Sequence, residues 1–386
     1  MFLKSVLKRN RPLAAFAFQA HEKGLLAPDT YILDLDAIRE NAGMILSTGN
    51  KHGIHLYFML KQLGRNPLIA KMLMEMGYEG AVCVDFREAL LMLRHGIPLG
   101  NVGHLVQTPR GLLPEILAAR PKVMTVYSYE KAKEISEVAK EQGFRQDVLL
   151  RVFGDDDIIY PGQRGGFPVD QLVVVAGQLR KLKGIRIAGV CSFPCFLYNE
   201  EANAVLATPN MKSVLQGAKI LQEMGFTELQ LNCPSVTGVR TIPAIARYGG
   251  THGEPGHSLT GTTPYHADPE CEGEIPALVY LSEISHNMKK KSFIYGGGYY
   301  RRGHLENALT GTSINEATLL KVAPPPNESI DYTLELRGKG SLSDPVVMSF
   351  RTQIFVTRSE VAVVSGLSRG NSQIEGIWSP LGERLR

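Results

Sequence analysis

Ile54-His55-Leu56-Tyr57-Phe58-Met59-Leu60, followed at once by Lys61, is the stretch on which the reading of this chain turns. A near-continuous apolar run of this length has the composition of a strand buried on both faces, as parallel sheets covered by helices require. Comparable runs follow at 80–85, 101–106, 123–128, 148–153, 187–193, 228–233 and 245–251. Between them lie stretches of helical periodicity at 67–76, 86–94, 129–142, 169–183 and 211–224. In the first of these, Leu68, Met72, Leu73 and Met76 share one face, the spacing of a helix packed on a sheet. Eight βα units over roughly 200 residues predict an α/β chain built on a (β/α)8 TIM barrel. A doubly wound sheet would carry a GxGxxG turn after one of its strands, and none does.

Beyond about residue 265 the pattern changes to short alternating runs at 332–336, 352–356 and 360–364. They are separated by turn-rich breaks such as Pro324-Pro325-Pro326. The expected organisation is therefore an N-terminal helical extension over 1–27, a barrel over 28–265 and a C-terminal mainly-β domain over 266–386. The 386 residues are 44% hydrophobic and 21% charged, which places the chain among globular proteins with a sizeable core. Lys and Arg number 42 against 38 Asp and Glu. That balance argues against a nucleic-acid binder, which carries a strong, localised basic excess. No run is long enough to span a membrane, and the basic N-terminus lacks the apolar stretch of a signal peptide. Cys83, Cys191, Cys195, Cys233 and Cys271 are odd in number and irregular in spacing, which predicts reduced thiols and a cytoplasmic protein.

Barrel enzymes carry their chemistry at the C-terminal ends of strands. Lys61 stands at the end of the first, where partial desolvation lowers a lysine pKa and suits it to Schiff-base chemistry. A surface lysine opening the next helix is the alternative. Gln163-Arg164-Gly165-Gly166-Phe167 follows the fifth strand; it is either a ligand-gripping arginine between glycines or an ordinary glycine turn. Cys233-Pro234-Ser235-Val236-Thr237-Gly238 offers small hydroxyl residues before a helical turn, a cradle for phosphate. His252-Gly253-Glu254-Pro255-Gly256-His257 puts a carboxylate beside glycine amides at the barrel rim. Tyr295-Gly296-Gly297-Gly298-Tyr299 reads as exposed phenols on a tight backbone, or as a hairpin with packed aromatics.

In this order and at these strand ends, the elements resemble the alanine racemase-like family of pyridoxal-phosphate enzymes. The likeness runs over roughly residues 28–303, beginning at Tyr31-Ile32-Leu33-Asp34. The resemblance implies pyridoxal 5'-phosphate held as a Schiff base on Lys61, with Ser235, Gly256 and His257 toward its phosphate. It implies Arg164 near the cofactor oxygen and the substrate carboxylate, with Tyr299 also toward the substrate and in reserve for the catalytic tyrosine. It makes Tyr295 a second acid–base delivered from the partner subunit of a homodimer. Three positions depart from the family pattern. Arg65 replaces a phosphate-binding tyrosine, Phe193 replaces a ring-stacking histidine, and Glu254 replaces an arginine at the pyridine nitrogen. The last resembles related amino-acid decarboxylases. His252, His257, His266 and Cys271 fit no standard zinc spacing, so no metal is expected. The expected activity is racemisation of an amino acid at its α-carbon. Decarboxylation or D-amino-acid lyase chemistry is the alternative, a non-catalytic cofactor-binding protein is a further one, and a cofactor-free Schiff-base aldolase is another.

Overall fold

The computed structural model describes residues 1–386. They form two compact units: Met44–Leu60 with Ala70–Gly256, and Met1–Gly43 with Lys61–Ile69 and His257–Arg386. The first is the barrel. Its parallel strands run His55–Leu56, Ala81–Cys83, Leu99–Val102, Val123–Val126, Gln146–Phe153, Ile185–Cys191, Gln230–Asn232 and His252–Gly253, and each pairs with its successor from the second onward. The eighth pairs back onto the first, with His252 opposite His55. The first meets the second through a bridge between Phe58 and Ala81, where Phe58 N–H donates to Gly80 O at 3.0 Å. The sheet thereby closes on itself. Helix starts are fixed locally: Asp85 accepts from Glu88 N–H at 2.9 Å ahead of Phe86–Arg94, and Ser128 accepts from Lys131 N–H ahead of Tyr129–Glu141. Each such cap contributes about 1 kcal/mol.

Seven of the eight expected strands overlap observed ones. The eighth does not. Residues 245–251 were expected to be extended, but Ile242–Arg247 is a helix and the strand is His252–Gly253. Ile242 and Ile245 are both buried one helical turn apart, and Gly249 at φ +78° ends the turn. The true strand is two residues long and begins with histidine, so it carries no apolar signature.

The second unit is a nine-stranded sheet. Its order is Lys291–Tyr295, Thr333–Arg337, Thr318–Ala323, Asn307–Thr310, Pro345–Met348, Leu278–Met288, Thr30–Asp34, Glu360–Ser365 and Gln373–Trp378. Lys291–Tyr295 also pairs with Leu278–Met288, which curls the first six strands into a small antiparallel barrel. Thr30–Asp34 differs from the expectation that the barrel begins at residue 28. It lies antiparallel to Leu278–Met288 and parallel to Glu360–Ser365, with all five residues buried. By compactness, the two units divide between Gly256 and His257. The N-terminal extension is two helices, Leu3–Arg9 and Arg11–Glu22, broken at Asn10, whose side chain also donates to Asp34 at 2.9 Å. Leu13, Ala14, Ala17 and Phe18 pack with Ile32, Val279, Val347 and Ala362, so these helices cover one face of the sheet. No helix of the chain is long and apolar enough to cross a membrane, and all five cysteines are buried and outside any disulfide.

That packing makes the helical extension part of the β unit's core. Leu13→Ala should cost about 2–5 kcal/mol in urea unfolding, as for a fully buried leucine. Leu25→Ala, at a half-exposed position in the same extension, should change stability by about 0.5 kcal/mol or less.

Candidate active site

Inside the barrel, at the C-terminal ends of its strands, one carboxylate organises its neighbours. Glu254 follows the eighth strand directly, and its side chain is fully buried. Its Oε1 accepts from Asn232 Nδ2 at 2.6 Å and from Asn101 Nδ2 at 3.0 Å. Asn232 ends the seventh strand and Asn101 lies on the third. Thr125 Oγ1, on the fourth, donates to Asn101 Oδ1 at 2.9 Å and so fixes that amide's orientation. The backbone N–H of Glu254 donates to Thr237 Oγ1 at 3.1 Å. Its other oxygen, Oε2, is buried without a hydrogen-bond partner and lies 3.9 Å from His104 Nε2. A buried carboxylate with one oxygen saturated and one open is a receptor for a cationic N–H donor.

Beside it, the His104 ring meets Phe193 edge-on, with centroids 5.9 Å apart, and Phe193 also touches the Tyr160 ring. Tyr127 O–H donates to the His104 carbonyl, and Arg151 donates to the Tyr127 oxygen and, at 2.8 Å, to the Gln163 carbonyl. Burial pushes the Tyr127 phenol up, against the opposing pull of Arg151. The glycines beside Arg164 serve this packing. A Cβ on Gly165 would stand 2.6 Å from the Tyr127 ring, and one on Gly166 2.5 Å from the Arg151 carbonyl. Arg164 itself is exposed, while the buried arginine of this region is Arg151. Ser235 Oγ donates to the Phe196 carbonyl at 2.9 Å, in the loop after the seventh strand. Gly256 closes the barrel unit one residue beyond Pro255, whose carbonyl accepts from Met59 N–H at 2.9 Å.

The remaining expected site residues belong to the β unit. Lys61 opens the single turn Lys61–Leu63, five residues beyond the end of the barrel's first strand at Leu56, and Gln62 O accepts from Thr352 Oγ1 at 3.2 Å. Arg65 is buried with its guanidinium 4.8 Å from the Phe355 ring centroid. His257 Nε2 faces Arg351 Nε and Gln353 Nε2, each at 3.3 Å, and Nδ1 faces Thr262 Oγ1 at the same distance. Burial, reinforced by Arg351 and Lys61, holds the His257 pKa well below the usual value. Tyr295 is 43% exposed at its strand's end, and Tyr299 is half-buried. The intervening glycines let the chain press onto its core: a Cβ on Gly298 would stand 2.3 Å from Tyr280.

The histidines and cysteine weighed for a metal do not converge. His252 starts the eighth strand, His266 pairs with Glu274 at 3.1 Å, and Cys271 accepts from Arg9 at 2.9 Å. Asn101, Asn232, His104, Thr125, Tyr127 and Arg151 were not anticipated. The available signal was a polar residue inside or at the end of an otherwise apolar strand.

Residues 33–264 match the family model for the alanine racemase N-terminal domain. The chain belongs to that family. Residues 279–374 match a model described as the YhfX-like C-terminal domain. The chain is 43% identical to a protein of Escherichia coli (strain K12) named "Uncharacterized protein YhfX", over 100% of both chains. Among solved structures it is similar to D-threonine aldolase from Filomicrobium marinum, with a TM-score of 0.69 and 15% identity over 92% of this chain and 94% of that one. It is also similar to alanine racemase of Clostridium difficile 630 in complex with cycloserine, with a TM-score of 0.64 and 18% identity over 91% and 98%. D-threo-3-hydroxyaspartate dehydratase from Delftia sp. HT23 gives a TM-score of 0.65 and 16% identity over 90% and 97%. These likenesses establish the fold, the parallel barrel with a separate antiparallel β domain.

His257 makes the β unit acid-sensitive. A histidine whose folded-state pKa lies below its unfolded value of about 6.5 takes up a proton more readily unfolded. Its contribution is fully present above that value and is lost as pH falls below it, by at most about 1.4 kcal/mol per pH unit. Urea unfolding at about pH 7.5 and about pH 5 should show a smaller loss in His257→Gln than in the parent chain.

Proposed function

We propose that this chain is a pyridoxal 5'-phosphate enzyme acting at the α-carbon of an amino acid, with racemisation as the favoured reaction. The alanine racemase-like family is pyridoxal-phosphate dependent. The observation that carries the reading is Glu254 Oε2, a buried acceptor left open while Oε1 takes two amide donors. A protonated pyridine nitrogen would supply the missing donor, so the residues fit the group. When bound, the cofactor supplies an electron sink for the pair left at the α-carbon. Glu254 would stabilise the ring's protonated form, and Asn101 and Asn232 would keep its carboxylate aimed.

Lys61 is the proposed point of covalent attachment and the base on one face of the substrate. Tyr295 is the proposed acid–base on the other, brought by a second copy in a homodimer; its exposure at a strand end supports that role. Ser235, Gly256, His257 and Arg65 are proposed toward the phosphate. A neutral His257 would bind as a hydrogen-bond donor, not as a charge. Phe193 is proposed against the cofactor ring and Tyr299 toward the substrate. Arg164 would grip the substrate carboxylate, which leaves Cα–H as the bond to break.

A second reading is elimination, decarboxylation or aldol cleavage. Glu254 favours it, because a carboxylate at the ring nitrogen deepens the sink beyond what proton exchange needs. The names of the aldolase and dehydratase neighbours agree with such lyase chemistry.

Purified protein should be yellow, and borohydride reduction followed by peptide mass spectrometry should place the cofactor on Lys61. A label on another lysine rejects the assignment. In heavy water, an amino-acid panel followed by NMR and chiral chromatography separates α-proton exchange with inversion from loss of a substituent. Glu254→Gln should retain the cofactor's absorbance yet lose turnover by roughly 10²-fold or more, the scale of removing a group that stabilises developing charge.

A further inference from the structure

We propose that His55, Glu79 and His252 form a divalent transition-metal site, suited to zinc, at the N-terminal end of the barrel strands. One donor atom from each lies within 4.8 Å of the other two. The backbone already fixes all three. His55 and His252 are opposite partners on the first and eighth strands, with their rings stacked 4.9 Å apart. Glu79 N–H donates to Leu56 O at 2.9 Å, which holds its carboxylate against His55 Nδ1 at 2.5 Å. Thr251 Oγ1 engages His252 Nδ1 at 2.8 Å, which orients that ring and leaves Nε2 as its ligating nitrogen.

Two imidazoles and a carboxylate make a borderline-soft donor set that favours zinc over magnesium or calcium. Three protein ligands leave a fourth, water-filled position, and His55 on the exposed side gives an ion its route in. Lys122 is the competitor. Its ammonium lies 3.0 Å from Glu79 Oε2 and offsets the carboxylate's charge, while Oε1 shares a proton with His55 Nδ1 that the metal would displace. The location gives the ion a task. The eight-strand ring closes where its strands are shortest, and the three ligands come from the eighth strand, the first strand and the segment leading into the second. A metal there would cross-link the closure, well apart in role from the open oxygen of Glu254.

The test uses the full-length protein, stripped with a chelator, dialysed and titrated with zinc chloride by calorimetry while melting is followed in parallel. The expected result is one equivalent bound at roughly micromolar affinity. Melting should rise by about 3 °C or more at about a hundredfold excess over the Kd. His55→Ala, at an exposed position, should weaken binding by about tenfold or more. Lys122→Gln should strengthen it several-fold by removing the competing charge. Absence of binding, binding unchanged by His55→Ala, or binding weakened by Lys122→Gln would each overturn the assignment.

Discussion

A carboxylate with no exposed surface is the constraint around which the barrel's interior is arranged. Taking such a group out of water costs several kcal/mol, and the cost is offset only where donors are already in place. Glu254 finds two of them in Asn101 and Asn232, which reach it from the third and seventh strands, and Thr125 on the fourth holds Asn101 in turn. Four strands of a ring that otherwise buries aliphatic side chains are thus tied together by a polar layer. The same layer leaves one oxygen unmet. Replacing the two asparagines with aliphatic residues would leave both oxygens of a buried charge unmet, a loss of about 3–5 kcal/mol.

The legible parts of the fold were those where burial and composition coincide. Residues 54–60 read as a strand because a parallel strand covered on both faces must be apolar almost throughout, and a strand is there, shortened to His55–Leu56 with a bridge at Phe58. The second unit was legible as β structure from its alternation. What the sequence concealed were elements whose identity comes from partners far along the chain. Thr30–Asp34 has the same apolar look as a barrel strand, yet pairs with Leu278–Met288 and Glu360–Ser365. His252–Gly253 is a strand because its neighbours are, and nothing within those two residues says so.

The site divides in the same way. Glu254 stood out because a carboxylate beside glycines at a strand end has few structural uses. Asn101, Asn232 and Arg151 were hidden because a polar residue in an apolar run gains meaning only when the opposite wall of the barrel is known. Around Arg164 the glycines were read either as room for a ligand or as an ordinary turn, and between Tyr295 and Tyr299 as a tight backbone; in the structure they allow close approach of the Tyr127 ring, the Arg151 carbonyl and the Tyr280 ring. A glycine records a close approach without recording what approaches.

The second unit is assembled from the two ends of the polypeptide, and this imposes an order in time. Asp29 accepts from Tyr280, 251 positions later, and from Ser359, 330 positions later. At ordinary synthesis rates the ribosome needs on the order of 15–60 s to deliver those partners. Throughout that interval the first helices have emerged with Leu13, Phe16 and Phe18 uncovered, while the barrel between them is being completed. The barrel is therefore free to fold first, and the N-terminus must remain soluble, or be held by a chaperone, until the last strands arrive.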